Sequence, residues 1–170
     1  MSEEEHQSGF LPPMLMFRSF LTLGSGIVLH AILIALLTHL IGTFFFESYQ
    51  EFAKLPADRQ AEVFSIRPFE VIPVPMFWTI VVVGSGLNFM LGALTTRTAP
   101  FSYMAHAIFL AVLLFVFYLQ RAPTEEPDKK FMTLVYMVCF STAILLGGTW
   151  MSKRMTSVAE SNTETDGERN

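Results

Sequence analysis

The clearest pattern in the sequence is a series of four long apolar stretches separated by polar segments. Residues 19–46, 71–96, 98–120 and 131–152 contain no Asp, Glu, Lys or Arg, and each stretch is rich in Leu, Ile, Val, Phe and Met. A helix needs about 20 predominantly apolar residues to cross a hydrocarbon core of about 30 Å. The pattern therefore predicts an integral membrane protein with four transmembrane helices.

Polar residues and prolines set the predicted ends of these helices. We expect them at about 17–46, 76–96, 101–120 and 131–151. Residues 47–75 form the one long connection outside the membrane. Pro73 and Pro75 lie at the end of this connection, and residues that precede a proline avoid the helical region of backbone space. The second transmembrane helix is therefore expected to begin only after them.

The connections also predict how the helices are arranged. Residues 97–100 link the second and third helices so tightly that these two must be antiparallel neighbours. The predicted fold is an all-α antiparallel bundle over residues 14–152, with both termini on the same side because the number of crossings is even. Residues 1–13 and 153–170 are polar, so we expect a flexible N-terminal tail and a disordered C-terminal tail.

Basic residues give a weak indication of the orientation in the membrane. The side that carries the termini has 5 basic residues against 6 on the other side, so the totals do not decide. Only the terminal side has basic residues directly next to helix ends, at Arg18, Arg97, Lys153 and Arg154. Positive charge near helix ends favours the cytoplasm. We therefore expect the termini in the cytoplasm, in the inner membrane of a bacterium, where this outline of crossings is common.

Composition narrows the range of partners. Hydrophobic residues make up 52 % of the chain and charged residues only 15 %, so the lipid bilayer is the predicted surrounding. A net charge of −4 with scattered basic residues argues against nucleic acid as a partner. Cys139 is the single cysteine and lies in an apolar stretch, so it is expected to be a packing residue. The first apolar run is too long for a cleavable signal and should remain as a helix.

Small residues recur at helical spacing on several of the predicted helices. In lipid, small residues let helix backbones approach closely, and such packing drives helix association. The residues that we expect in packing seams are Gly24, Gly26, Gly84, Ser85, Gly92, Ala143 and Gly147. The alternative interpretation is that these faces surround a polar cavity that admits a ligand.

Three polar side chains are expected to meet inside the bundle. His30 lies near the middle of the first helix, and Asn88 lies at a similar depth in the second, so the two could form a hydrogen bond. His106 lies about one turn into the third helix, with Ser102 one turn before it. Such a cluster is either a set of satisfied interhelical hydrogen bonds or a proton-handling or ligand site, since polar groups inside membranes are often functional.

The same histidines do not suit a cofactor. His30 and His39 are nine residues apart, which places them on opposite faces of one helix. His30 and His106 differ in depth by about 7 Å, so they are a poor pair of haem ligands. The predicted membrane segments offer no carboxylate and no second cysteine to a metal ion. We therefore expect no cofactor and no metal.

The remaining features favour a protein without catalytic activity. The apolar stretches hold no embedded charge of the kind that ion-coupled transporters use, and no motif specific to a family or to a catalytic mechanism is present. The leading hypothesis is an accessory or scaffold subunit that associates with itself or with other membrane proteins. One alternative is a small-molecule carrier or channel lined by His30, Asn88 and His106, and another is a membrane redox or enzyme subunit.

Overall fold

In the computed structural model, residues 13–66, 68–100, 103–121 and 127–167 are described, and these residues form helices and no strands. The helices are α1 (Pro13–Phe45), α2 (Glu47–Ala53), α3 (Ala57–Ile66), α4 (Pro68–Val71), α5 (Val74–Thr98), α6 (Tyr103–Arg121) and α7 (Pro127–Gly167). The predicted N-terminal tail, apart from Pro13, lies outside the described residues.

Three of these helices are long and apolar enough to cross a membrane. They are α1, α5 and the part of α7 from Pro127 to Val158, while α6 contributes a shorter apolar segment, Met104–Gln120. The prediction of an all-helical membrane protein is confirmed at this level. The fourth predicted crossing corresponds to the shorter helix α6.

The long connection folds into three short helices that cover one end of the long ones. Proline sets where these elements begin, because it fits the first turn of a helix, where its missing N–H is not needed. Pro68 is the first residue of α4, and Pro73 precedes α5 and accepts a hydrogen bond from Phe77 N at 2.9 Å. We expected α5 to begin after Pro75 as well, but it begins at Val74 and Pro75 lies in its first turn. Val71 and Met76, from the two sides of this junction, are buried in one apolar cluster. The connection is therefore part of the packed structure.

Contacts between α1 and α5 show that these two helices run in opposite directions. Gly26 of α1 faces Thr95 of α5, and further along α1 the side chain of Ile34 faces Gly84. Because residue numbers rise along one helix and fall along the other, the pair is antiparallel. α1 is otherwise sparsely covered: of its 33 residues, those that are buried are Gly26, His30, Ile41 and Gly42.

α5 and α7 form the closest helix pair and run in the same direction. The rings of Phe77 and Tyr136 are in contact near the beginning of both helices, and those of Phe89 and Trp150 are in contact further along. α6 lies between these two helices in the sequence, so the chain can return along it and enter α7 in the direction of α5. The side chains of α5 that meet α7 and α6 include Leu91, which is buried in a second apolar cluster.

The C-terminal helix is longer than the sequence suggested. α7 continues to Gly167, whereas we expected a helix to residue 151 and a disordered tail after it. No glycine or proline lies between Gly148 and Gly167, so nothing in this polar segment breaks the helix that enters it. Two of its described hydroxyl groups bond locally: Thr156 donates to the backbone oxygen of Ser152 at 3.1 Å, and Ser157 donates to that of Arg154 at 2.9 Å.

Candidate functional site

A buried hydrogen-bond network joins three of the long helices. His30 of α1 is 3 % exposed and Asn88 of α5 is 2 % exposed. His30 Nδ1 lies 2.7 Å from Asn88 Oδ1, and His30 Nε2 lies 2.9 Å from the hydroxyl oxygen of Tyr118 in α6. The contact between His30 and Asn88 that the sequence suggested is present. Tyr118, which the sequence analysis did not select, completes the network.

The pattern of hydrogen bonds assigns the protons in this network. Asn88 Nδ2 donates to the backbone oxygen of Gly84 at 2.8 Å, so Asn88 Oδ1 is the atom that faces His30. His30 therefore donates from Nδ1 and accepts the Tyr118 hydroxyl proton at Nε2. A neutral imidazole satisfies all of these groups. Burying a charged imidazole here, away from a counter-ion, would be costly.

Aromatic rings of α6 and α7 enclose His30. The rings of Tyr118 and Phe140 both meet the imidazole edge-on, with centroids 5.9 Å away, and Tyr136 stacks on Phe140 at 5.2 Å. Phe140 is fully buried against Gly84, where an added Cβ would lie 2.9 Å from the ring. The predicted small residue at position 84 thus makes room for a ring. The network lies in packed, largely aromatic surroundings.

His106 does not take part in this network. Its Nε2 shares a hydrogen bond of 2.6 Å with the hydroxyl of Ser19, which lies eleven residues before His30 in α1. Eleven residues correspond to about 16 Å along a helix. Ser102 lies outside the described residues. The predicted cluster is therefore divided, since His30 bonds to Asn88 and His106 bonds to Ser19. The contacts Ser19–His106 and His30–Tyr118 both join α1 to α6, and their order shows that these two helices are parallel.

In the sequence, Tyr118 is distinguished only by its hydroxyl group, which follows a largely aromatic segment. It follows Phe115, Val116 and Phe117 in a segment that looks like lipid-facing bulk. A tyrosine hydroxyl usually finds a hydrogen-bond partner when it is buried, so its position within an apolar segment could have marked it. Its partner could not have been chosen without knowing how far α6 is shifted along α1.

The tightest seam of small residues lies between α5 and α7. A Cβ added at Gly92 would overlap the backbone oxygen of Ile144, and one added at Gly147 would overlap the backbone oxygen of Phe89. Backbone atoms cannot rotate away as side chains do. These two predicted packing glycines therefore allow the two backbones to touch, as small residues do between membrane helices.

The two small residues predicted in α1 differ from each other. Gly26 packs against α6, because an added Cβ would lie 3.1 Å from Leu110 Cδ2. A Cβ added at Gly24 would have no atom within 4 Å, so the described residues show no packing role for this glycine. The two glycines are two residues apart, which turns them about 200° from each other around the helix. Only one of them can face the rest of the bundle.

The other predicted small residues are less decisive. Ala143 is buried, and Ser85 is half-buried. Gly148, which was not selected, belongs to the packing as well, because a Cβ there would lie 2.5 Å from Ala107 Cβ. It follows Gly147 directly, so the two glycines allow α7 to meet α5 and α6.

The described residues do not supply a grouped set of metal ligands. No three His, Cys, Asp or Glu side chains in this part of the chain lie together as a metal ion would require. Both ring nitrogens of His30 have protein partners, and His106 Nε2 is bonded to Ser19. Cys139 is free and half-buried beside an apolar cluster, in keeping with a packing residue.

Comparison with known proteins leaves the function to be argued from the residues of this chain. No protein family matches the sequence, and neither a curated protein nor a solved structure matches it. The arrangement itself offers satisfied polar contacts between helices and a long helix, α1, with little cover.

Proposed function

We propose that the protein is a non-enzymatic membrane subunit that associates through α1 with other membrane proteins or with a second copy of itself. The observation that carries this proposal is the uncovered length of α1. The helix has 33 residues, about 50 Å, but only four of them are buried. In a membrane, an uncovered apolar helix face contacts either lipid acyl chains or another helix.

The composition of the uncovered side favours another helix. We define the open face of α1 by Phe20, Gly24, Val28, Ala31 and Ala35, which fall within about 80° around the helix. Phe20, Val28, Ala31 and Ala35 are exposed, and Gly24 has open space around it. Small residues between larger ones let a second backbone approach closely, and this spacing is typical of associating membrane helices.

The His30 network supports the same role. It bonds one side of α1 to α5 and α6, and it thereby fixes the rotation of α1 about its own axis. The open face is consequently held away from the bundle. Interhelical hydrogen bonds of this kind contribute about 0.6 kcal/mol each on average, so the two bonds of His30 add a modest preference for this rotation.

We further propose that α6 crosses the membrane as a fourth helix, so that both termini lie in the cytoplasm, in a bacterial inner membrane. α6 has 19 residues, about 28 Å, which is close to the thickness of the hydrocarbon core. Arg18 and Arg97 lie at one end of the antiparallel pair α1 and α5, as the positive-inside rule expects for the cytoplasmic end. Reporter fusions at the two termini test this: opposite locations would exclude a fourth crossing.

Cysteine cross-linking in native membranes tests the association. In a Cys139→Ala background, Ala31→Cys and Ala35→Cys place a thiol on the open face of α1, and Ala105→Cys places one on an exposed position of α6 as a matched control. We expect oxidation to give cross-linked dimers, or an adduct with a partner protein, at positions 31 and 35 and little at position 105. Equal or absent cross-linking at all three, together with a monomer that purifies alone, would refute the proposal.

The carrier hypothesis receives less support from the geometry. A path lined by His30, Asn88 and His106 needs these side chains to share a surface. His30 and Asn88 are buried against each other, and His106 lies about 16 Å along the helices, bonded to Ser19. The scaffold proposal requires no rearrangement of either contact, His30 with Asn88 or His106 with Ser19.

A further inference from the structure

A groove of about 530 Å³ lies between α1 and α5, next to the open face of α1 but distinct from it. Its volume is within the range of small-molecule sites. Besides leucines, its walls carry an unusual number of hydroxyl groups for a lipid-facing surface. The residues that matter here are Thr22, Ser25 and Gly26 of α1 and Leu94, Thr95 and Thr98 of α5.

Three of the four hydroxyl groups are occupied by their own helix. Thr22 donates to the backbone oxygen of Arg18 at 3.0 Å, Ser25 donates to that of Thr22 at 3.1 Å, and Thr98 donates to that of Leu94 at 3.0 Å. This local bonding is how serine and threonine are usually satisfied in membrane helices. These three groups therefore need nothing from the groove.

Thr95 is different. It is 2 % exposed and lines the groove, and its hydroxyl has no hydrogen-bond partner among the described residues. The hydroxyl oxygen faces Gly26, lying 3.7 Å from the position of a Cβ built there. The fully buried hydroxyl oxygens without a partner among the described residues are those of Thr43 and Thr96, so the Thr95 oxygen keeps some contact with the groove. Its donor is therefore available to an acceptor oxygen of a molecule there.

Two arginines that do not line the groove are close in sequence to lining residues on the side of the predicted membrane surface. Arg18 is one helical turn before Thr22, and Arg97 directly precedes Thr98. Both are exposed, and neither has an ion-pair partner among the residues described. Thr95 is two residues from Arg97, about 3 Å along the helix axis. Apolar walls, one hydroxyl donor and nearby positive charge thus follow one another from the membrane interior to its surface.

This order matches the parts of one kind of molecule. We propose that the groove holds an anionic glycerophospholipid, with an acyl chain along the leucines and the phosphate at Arg18 and Arg97. An ester carbonyl accepts the proton of the Thr95 hydroxyl. Basic residues between transmembrane helices at this level are known to recognise anionic headgroups. The site is independent of the association through the open face, and either can fail without the other.

Native mass spectrometry of the full chain in detergent tests the headgroup preference. The protein is incubated with phosphatidylglycerol or phosphatidylcholine that carry the same acyl chains. We expect the anionic lipid to be retained roughly tenfold better by the wild-type protein, as two arginines near a phosphate imply. Equal retention of the two lipids by the wild-type protein would overturn the proposal directly, whatever the variants do.

Variants assign the preference to this groove. Arg18→Gln combined with Arg97→Gln should bring the ratio of the two lipids close to one, whereas Lys153→Gln combined with Arg154→Gln, the same change of charge at the end of the apolar part of α7, should leave it unchanged. A loss of preference in the second pair equal to that in the first would mean that general surface charge attracts the lipid, and would refute the site.

The Thr95 hydroxyl has its own test. Thr95→Val should weaken retention of both lipids without changing their ratio, because both carry the ester carbonyl. Thr79→Val is the matched control on the same helix, since Thr79 is exposed and its hydroxyl donates to the backbone oxygen of Pro75 at 2.8 Å. Equal retention by Thr95→Val and the wild-type protein would remove Thr95 from the site.

Discussion

Replacing Gly92 with alanine should destabilise the protein, because α5 and α7 leave no room for a side chain at this point. The added Cβ would overlap the backbone oxygen of Ile144, so the two helices would have to separate. Gly86 provides the control on the same helix. It is exposed, and no atom lies within 4 Å of a Cβ built on it.

The two substitutions should have opposite signs. Alanine is favoured over glycine in a helix interior by about 1 kcal/mol, and both variants receive this gain. Forcing extra atoms into a packed interface costs about 1–3 kcal/mol, and a clash with backbone belongs at the upper end. We therefore expect Gly92→Ala to lower the free energy of unfolding by about 1–2 kcal/mol and Gly86→Ala to raise it by up to about 1 kcal/mol.

Equilibrium unfolding of the purified protein in mixed detergent and SDS micelles measures this difference, followed by circular dichroism. Gly147→Ala provides a second position in the same seam, where the added Cβ would overlap the backbone oxygen of Phe89. If Gly92→Ala and Gly86→Ala unfolded at the same SDS fraction, the close contact of α5 and α7 would be refuted.

Further predictions concern the polar contacts. Tyr118→Phe leaves His30 Nε2 without its donor and should lower the free energy of unfolding by about 1–2 kcal/mol in the same assay. His30→Phe combined with Tyr118→Phe should cost less than the sum of the single variants, since no orphaned partner remains between them; strict additivity would contradict the bond. Burial raises the pKa of the Tyr49 phenol. The contribution of the Tyr49 phenol to the free energy of unfolding is therefore complete below pH 10, its ordinary pKa, and is lost as the pH rises through the raised pKa of the folded protein. The difference between the ultraviolet titrations of the wild-type protein and Tyr49→Phe measures that raised pKa.

Counting along the sequence predicted the depth of one polar contact correctly and that of another incorrectly. Counting residues from the ends of the apolar stretches placed His30 and Asn88 at the same level, and they are bonded. The same counting grouped His106 with them, but the register between α1 and α6 places it beside Ser19. That register depends on how side chains of two helices interlock, which no single helix encodes.

Small residues show the same division. The sequence marked both Gly24 and Gly26, but only Gly26 packs against the bundle, because the rotation of α1 is set by the His30 network.

The C-terminal segment differs from its prediction for another reason. Its polar composition predicted disorder after residue 152, whereas α7 carries its helix onward to Gly167. Composition reports whether a segment can bury itself, but not whether a neighbouring helix extends through it.

The parallel contact between α5 and α7 has a consequence for how the chain is made. Gly92 and Gly147 are 55 positions apart, so the ribosome must add that many residues before the seam can close. At about 5–20 residues per second this takes roughly 3–10 s. During this time the surface of newly inserted α5 around Gly92 is exposed to other proteins in the membrane. Slow translation between these two points should therefore expose the nascent protein to insertion chaperones and membrane proteases.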